Sequence, residues 1–272
     1  MKKILITLIH NNNPERNEIA RKSIENIRQY IKGLDIHYKE FSYQPKKFSR
    51  KTFFLFRKTC LSWLLNRKWK KYTLQKNHFI LIDLLYLIYN LTKKIFINKK
   101  ESLRVANIDV FLTSKHINSY HYCFQNEFDF LLVLEDDFIL KEDSLIRLNN
   151  LIAQIYSIED PLYIDLAGGY DLSKLKVKHL EKYSDNSLKY FNKPITNTTC
   201  SYLINKKTTE LIYDFLVSHP IMHYSSPDWF LNSFFIEQEK NSINFTCIHS
   251  DPPIFSHGSF NKYYSSLISI KK

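Results

Sequence analysis

The sequence predicts an α/β fold whose sheet starts out parallel, and three neighbouring segments carry that prediction. Lys3 to Ile9 (KILITLI) is a short apolar run between polar flanks, as a buried strand requires. After an Asn-rich turn, Pro14 and Glu15 open a helical pattern through Ile19, Ile24, Ile27 and Ile31 that ends near Gly33. Ile36 to Phe41 reads as a second strand. Strand, helix, strand is how a parallel α/β domain begins.

The same alternation resumes downstream. Thr113 to Gln125 has helical spacing, and Phe128 to Leu134 (FDFLLVL) is the strongest strand pattern in the chain. Ser144 to Tyr156 reads as a helix, and Leu162 to Ala167 as a strand ending in Gly168-Gly169. Cys200 to Ile204 is another strand, followed by a helix over Thr208–Val217 and a further helix after Pro227. At 272 residues the chain suits a single domain with an insertion at 44–100, large enough to bury a core without disulfide or metal staples.

Composition excludes several function classes. The glycines are Gly33, Gly168, Gly169 and Gly258, so neither GxGxxG nor GxxxxGK[ST] occurs and glycine-rich phosphate cradles are ruled out. Cys60, Cys123, Cys200 and Cys247 form no CxxC pair, which argues against a disulfide framework or a zinc knuckle. Isolated thiols of this kind fit buried small hydrophobes in a reducing compartment. The opening MKKILITLIHNNN leads into Asn and Pro rather than a small-residue cleavage site, so it reads as a core strand and the expected location is the cytosol.

The net charge of +12 is unevenly spread. Residues 41–100 hold fifteen Lys/Arg against Asp83 alone, whereas 101–272 hold sixteen against twenty-one Asp/Glu. Large apolar residues interleave with these bases, as in Phe53-Phe54-Leu55-Phe56 and Phe79-Ile80-Leu81-Ile82. No apolar stretch reaches the roughly 20 residues that span a bilayer. Helices that lie on anionic membranes have this make-up, with an apolar face in the headgroup boundary and Lys/Arg on acidic lipid. A helical insertion packed on the core with a solvated basic rim is the alternative. Single-stranded nucleic acid is a third reading, but no recognition motif accompanies it, and nucleic acid is not expected as a partner.

The sharpest chemical signal is FLLVLEDDFIL at residues 130–140, where a buried strand stops at Glu135-Asp136-Asp137. Ligands of open α/β sheets bind beyond the carboxyl ends of strands. Three adjacent carboxylates raise one another's pKa, and a divalent ion offsets that repulsion most simply. Magnesium and manganese favour carboxylate oxygen and bind alongside substrate phosphates. A solvated acidic turn before a helix, capped by Asp143 or Ser144, is the plain alternative.

The block TSKHINSYHYCF…FLLVLEDDFIL resembles the bacterial lipopolysaccharide-type glycosyltransferases of family 25, in which a Ser- and His-containing helix precedes a strand ending in Leu-Glu-Asp-Asp. HNNNPERNEIARKSI is similar to that family's opening strand and Arg-containing helix, TTCSYLINKKTTELI to its later strand and helix, and DPPIFSHGS to its closing segment. Residues 44–100 have no counterpart. The resemblance implies a GT-A (Rossmann-like) fold, a nucleoside-diphosphate sugar donor (UDP-linked) and a divalent metal, Mn2+ or Mg2+. It makes Asp137 the first metal ligand, with Glu135 as a nucleotide-side neighbour or second ligand and Asp136 in support. A C-terminal His completes many such sites, with His257 the first choice and His249 the second. His10, Asn11 and Asn12, after the first strand, are candidate nucleotide contacts, though turn residues would look the same. Gly168-Gly169 would let donor or acceptor approach the backbone. His116 fits the family without a stated role.

Asp228, in SSPDWFLN, is the candidate base, with Asp251 in reserve; a carboxylate there would take the acceptor hydroxyl proton in an inverting transfer. The competing role for Asp228 is a helix N-cap after Pro227. The expected reaction is transfer of a hexose, galactose by family, to a lipid-linked bacterial surface glycan such as lipopolysaccharide or capsule. The basic segment would hold the enzyme peripherally at the inner face of the cytoplasmic membrane. A metal-dependent nucleotidyltransferase also needs clustered carboxylates but normally has a Gly- and Lys-rich phosphate loop. A non-catalytic basic membrane or nucleic-acid adaptor on a transferase fold would leave the acidic trio expendable.

Overall fold

A computed structural model describes residues 1–11, 13–42, 49, 51–74, 80–169, 177–185, 188–196, 198–259, 261 and 263. The N-terminal half contains β1 (Lys3–Ile9), α1 (Pro14–Tyr30), β2 (Asp35–Phe41), α2 (Thr52–Thr73), α3 (Ile80–Thr92), α4 (Lys99–Gln125), β3 (Phe130–Glu135) and β4 (Phe138–Leu140). There follow α5 (Ser144–Ile155), β5 (Leu162–Asp165), β6 (Lys182–Asp185), β7 (Leu188–Phe191), β8 (Ser201–Asn205), α6 (Lys206–Ser218), α7 (Pro227–Lys240), β9 (Thr246–Ser250) and β10 (Phe255–His257). Among the described residues, eight strands form one sheet in the order β2-β1-β3-β8-β5-β9-β7-β6, and β4 pairs with β10 in a second, small sheet. This is an α/β arrangement, as the sequence predicts.

The opening unit forms as its residues dictate. The Asn13 side chain caps α1 by accepting from the Arg16 amide at 3.2 Å, and Pro14 takes the first turn, where its missing N–H costs nothing. Ala20, Ile24 and Ile27 fall on one face of that helix and are buried. Both β2 and β3 lie parallel to β1, with Ile4 opposite Ile36 and Phe130. Side chains of the central strands alternate between two cores. Leu5, Ile9, Leu131 and Val133 join one, and Ile4, Ile6, Leu8, Phe130, Leu132 and Leu134 join the other. Each such side chain contributes about 1.5–3 kcal/mol on burial. Helices α1 and α5 cover one face of the sheet; α4, α6 and α7 cover the other.

Beyond β3 the sheet is mixed. The strand β8 runs antiparallel to both β3 and β5, so the parallel order does not continue. A parallel neighbour needs a crossover connection, usually a helix, and no helix is described between β5 and β8.

The basic insertion divides into two unlike parts. The long helix α2 buries Leu61 and Leu65 in the main core and packs on α7, where Trp69 meets Trp229 edge-on with ring centroids 5.9 Å apart. Packing on the core is therefore the state of this helix. By contrast, α3 touches the rest through a thin polar edge, including the Trp63 indole N–H donating to the Asp83 carbonyl at 2.9 Å. A π-helical turn at Lys93–Ile97 leads on into α4. That helix begins at Lys99 rather than Thr113, so the insertion ends inside a continuous helix, not at a loop near residue 100.

Candidate active site

The acidic trio is fixed by backbone bonds at the carboxyl ends of two adjacent parallel strands. Glu135 is the last residue of β3 and pairs with Ile9; its amide donates to the Cys200 carbonyl at 2.8 Å. The Asp136 amide donates to the Ile9 carbonyl at 3.0 Å. Asp137 then leads into β4, whose antiparallel register sets Phe138 opposite His257 of β10. This pairing, with the Gly258 amide donating to the Asp137 carbonyl at 2.7 Å, brings the His257 Nδ1 to 3.4 Å from the Asp137 Oδ2.

The three carboxylates have unequal surroundings. Burial alone would raise Glu135, but the His116 imidazole (Nε2 to Oε1, 3.2 Å), Thr199 and the nearby His257 outweigh it and hold the carboxyl below its ordinary value. His116 is itself fully buried and bonded through Nδ1 to the Tyr202 hydroxyl at 2.8 Å, which in turn meets the Tyr120 hydroxyl. Burial, with Asp137 and Glu135 adding negative potential, pushes Asp136 up to about 6 against the pull of the Asn11 amide and Arg16. The Asn11 amide donates to the Asp136 Oδ2 at 3.2 Å, and the Arg16 Nη1 lies 3.8 Å from Oδ1. Asp137 accepts from the Cys200 thiol at 3.4 Å and the Ser259 amide at 3.3 Å.

Asp228 lies on the opposite wall, in the first turn of α7. The cap position of this helix belongs to Ser226, which makes no side-chain cap bond. Asp228 therefore does not serve as the N-cap. Burial, with Glu135 and Asp165 adding negative potential, pushes its carboxyl up to about 7, against a bond from the Thr196 hydroxyl at 3.4 Å. A single cleft of ≈ 340 Å³ joins the two walls, lined by Arg16, the acidic trio, Asp228 and His257 among others.

Other sequence candidates sit elsewhere. The His10 ring is buried, 3.2 Å from Glu40 and 2.9 Å from the Asn17 side chain, and does not line the cleft. Asn12 lies outside the described residues. Gly168 has φ +55 and donates its amide to the Asp165 Oδ1 at 2.7 Å, forming a turn that does not line the cleft. His249 is buried on β9 near Asp165 and Phe191, where burial drives its pKa down to about 3; it is not grouped with Asp137. Asp251 is exposed and paired with Lys189, away from the cleft lining.

Among the described residues, the ligand atoms that cluster as a metal site would are those of Asp137, Cys200 and His257, all within 4.8 Å of one another. Glu135, expected as a second ligand, is not part of this cluster, and its Oε1 faces the His116 ring instead. Burial and neighbouring carboxylates drive the Cys200 thiol well up, so it stays a protonated donor to Asp137. A carboxylate and an imidazole then remain for an ion; the carboxylate suits manganese or magnesium completed by water and phosphate oxygens, whereas imidazole is more usual on zinc, copper, iron or nickel.

Sequence reading missed Lys115. It is 1% exposed, and its Nζ donates to the His10 carbonyl (2.7 Å) and the Asn11 Oδ1 (2.6 Å), tying α4 to the end of β1. Burial lowers it to about 8, although Asp136 and Glu135 pull the other way. No local signal in TSKHINS marks this lysine as buried.

Residues 112–224 match the family model described as glycosyltransferase family 25 (LPS biosynthesis protein). That stretch runs from α4 past α6; it includes the acidic trio and ends just before Asp228. The match supports a glycosyltransferase. A solved structure of a glycosyltransferase involved in the glycosylation of the major capsid of PBCV-1 is similar at 13% identity. The alignment covers 91% of this chain and 82% of that one, with a TM-score of 0.34, too low to transfer geometry. No curated protein matches the sequence.

Proposed function

We propose that this chain, matched to glycosyltransferase family 25 over residues 112–224, transfers a hexose from a nucleoside-diphosphate sugar to a glycan or glycolipid at a membrane surface. The observation that carries the reading is one cleft with the acidic trio and His257 on one wall and Asp228 on the other. Asp137 and His257 would hold a divalent ion, manganese or magnesium, which when bound neutralises charge on the departing diphosphate. Arg16, buried beside Asp136, adds a fixed positive charge at the same end. Lys115 keeps the end of β1 in place, and His116 orients Glu135 toward the nucleotide side.

Asp228 then acts as general base. Its carboxylate takes the proton of the acceptor hydroxyl as that oxygen attacks the anomeric carbon. The bond from that carbon to the diphosphate oxygen breaks, and its electron pair leaves with the nucleoside diphosphate. A single displacement of this kind inverts the anomeric centre. A carboxyl that titrates near neutrality suits this role, because a base works best with a pKa close to the working pH.

Membrane contact is the second part of the proposal. No helix among the described residues is long and apolar enough to cross a membrane. Helix α3 instead exposes Leu81, Ile82, Leu84, Leu85, Ile88 and Tyr89, and the basic residues around it suit anionic lipid.

A thermal-shift panel of sugar nucleotides, with and without manganese, tests the reading. At a hundredfold excess over Kd the true donor should stabilise the protein by about 2.7 kcal/mol, with manganese increasing the effect. Asp137→Ala should lose the manganese dependence while remaining folded. No response to any sugar nucleotide, or the same manganese response in Asp137→Ala, would overturn it.

A further inference from the structure

Helix α3 is amphipathic in the opposite sense to an ordinary surface helix. Its polar residues Asp83 and Asn90, with Leu87 between them and Lys94 one turn beyond Asn90, are partly buried and face α2. Its apolar residues point outward, Leu81 being 68% exposed, and the following Phe96 80%. A cavity of ≈ 200 Å³ opens between this polar stripe and α2, and Trp229 of α7 closes one side. Consecutive residues at the start of α7 thus serve two cavities, Trp229 this one and Asp228 the acidic cleft.

The chemistry of the cavity is that of an anion site with aromatic walls. Arg67 and Lys70 of α2 and Lys94 line it, against the single carboxylate of Asp83. Among the described residues none of these three cations forms an ion pair; Arg67 lies over the Trp63 ring, 5.5 Å from its centroid. Burial, with the nearby Lys58 charge, lowers Lys94 against the opposite pull of Asp109. Trp63 and Trp229 offer flat faces of the sort that pack against sugar rings, and a cavity this small suits one phosphate-bearing group rather than a whole saccharide.

We propose that the cavity between α2, α3 and Trp229 is an acceptor subsite that binds a phosphate or diphosphate ester, holding the acceptor so that its hydroxyl reaches Asp228. The subsite rests on the glycosyltransferase reading above. Its location suits a membrane-borne acceptor, because the outward face of α3 would lie at the lipid boundary while its inward face contributes to the anion site. The phosphate could belong to a lipid carrier or to a free sugar phosphate, and both share the recognised group.

The indole N–H signals of the three tryptophans (Trp63, Trp69 and Trp229) allow a direct test, since the first and last line the cavity and Trp69 touches Trp229. Each signal is assigned with a Trp→Phe variant. Inorganic pyrophosphate, titrated into the full chain without divalent ions, should shift the Trp63 and Trp229 signals saturably. Lys70→Gln and Lys94→Gln should each weaken that binding about tenfold, as expected for losing one charge-assisted hydrogen bond. Their thermal unfolding checks that each variant is folded. Phosphatidylcholine vesicles containing phosphatidic acid supply the lipid-borne phosphate, and glucose 1-phosphate the free one. The stronger response identifies the source.

Unmoved indole signals with pyrophosphate, or binding by both lysine variants as tight as that of the wild type, overturn the subsite. A response to the vesicles alone also overturns it, because α3 contact with lipid would then account for the shift. Sugar-nucleotide stabilisation is read separately in the wild type. Its presence with silent indoles discards the subsite and keeps the transferase; its absence discards the transferase reading itself.

Discussion

Replacing Asp228 by Asn should stabilise the protein and at the same time disable it. The folded-state pKa is about 7 against an ordinary 3.8. The native protein therefore holds this proton more tightly than the unfolded chain does. The resulting penalty is absent below about pH 4, grows as pH rises between the two values, and is fully present above about pH 7. A rise of about three pH units corresponds to about 4 kcal/mol at 1.36 kcal/mol each. Partial exposure of Asp228 and the favourable helix N-terminus, worth about 0.3–1 kcal/mol to an anion, reduce the net gain to about 2 kcal/mol. Asp228→Asn should then raise the Tm at pH 8 by about 4–8 °C and change it little at pH 4. Turnover should fall by about 10²–10⁴-fold with donor binding retained. In the wild type, turnover should rise with pH through about 7 as the base loses its proton. Equal Tm differences at both pH values would refute the desolvated carboxyl, and undiminished turnover would refute the base.

Three further perturbations separate the other roles. His257→Ala should abolish the manganese-dependent part of donor stabilisation, whereas His249→Ala, which empties a buried position beside Phe191, should lower Tm and leave the manganese effect in place; thermal shift reads both. Lys115→Met strands the His10 carbonyl and the Asn11 side chain and should cost about 2–4 kcal/mol, seen as a lower midpoint in urea unfolding. Leu85→Glu combined with Ile88→Glu, both at exposed positions, should leave Tm within about 2 °C but abolish sedimentation with anionic vesicles, and retained sedimentation would remove α3 from the membrane contact.

The elements that could be read from the sequence were those whose residues decide locally. KILITLI and FDFLLVL are buried on both sheet faces, so their apolar runs announce them, and Asn13-Pro14 marks the start of α1 by cap chemistry. The edge strand β6 carries KYSD, with no apolar residue but Tyr183, its neighbour β7 puts only Leu188 and Phe191 of LKYF into the cores, and β4 and β10 span three residues each. Within the site, Asp137 and His257 were legible as residue types, but their meeting depends on the β4–β10 register, which joins segments more than a hundred residues apart. Lys115 was hidden for a different reason. Nothing in TSKHINS distinguishes a buried lysine from a solvated one until the end of β1 supplies its two acceptors.

Charge balance in the cleft bears on the metal more strongly than the acidic motif does. Five carboxylates line it: Asp109, Glu135, Asp136, Asp137 and Asp228. Asp109 is neutralised by Lys58 at 2.9 Å, Asp136 faces Arg16, and Glu135 is held by His116. Asp228 is protonated for about half the time near pH 7. Asp137 meets neutral donors, the Cys200 thiol and the Ser259 amide, together with the His257 ring. A nucleoside diphosphate brought to this wall would place further negative charge beside that carboxylate. Within a partly enclosed site such repulsion amounts to several kcal/mol, more than Arg16 alone offsets while already facing Asp136. A divalent cation on Asp137 would remove the repulsion at a carboxylate that, among the described residues, pairs with no Lys or Arg, which is why metal and donor are expected to bind together rather than independently.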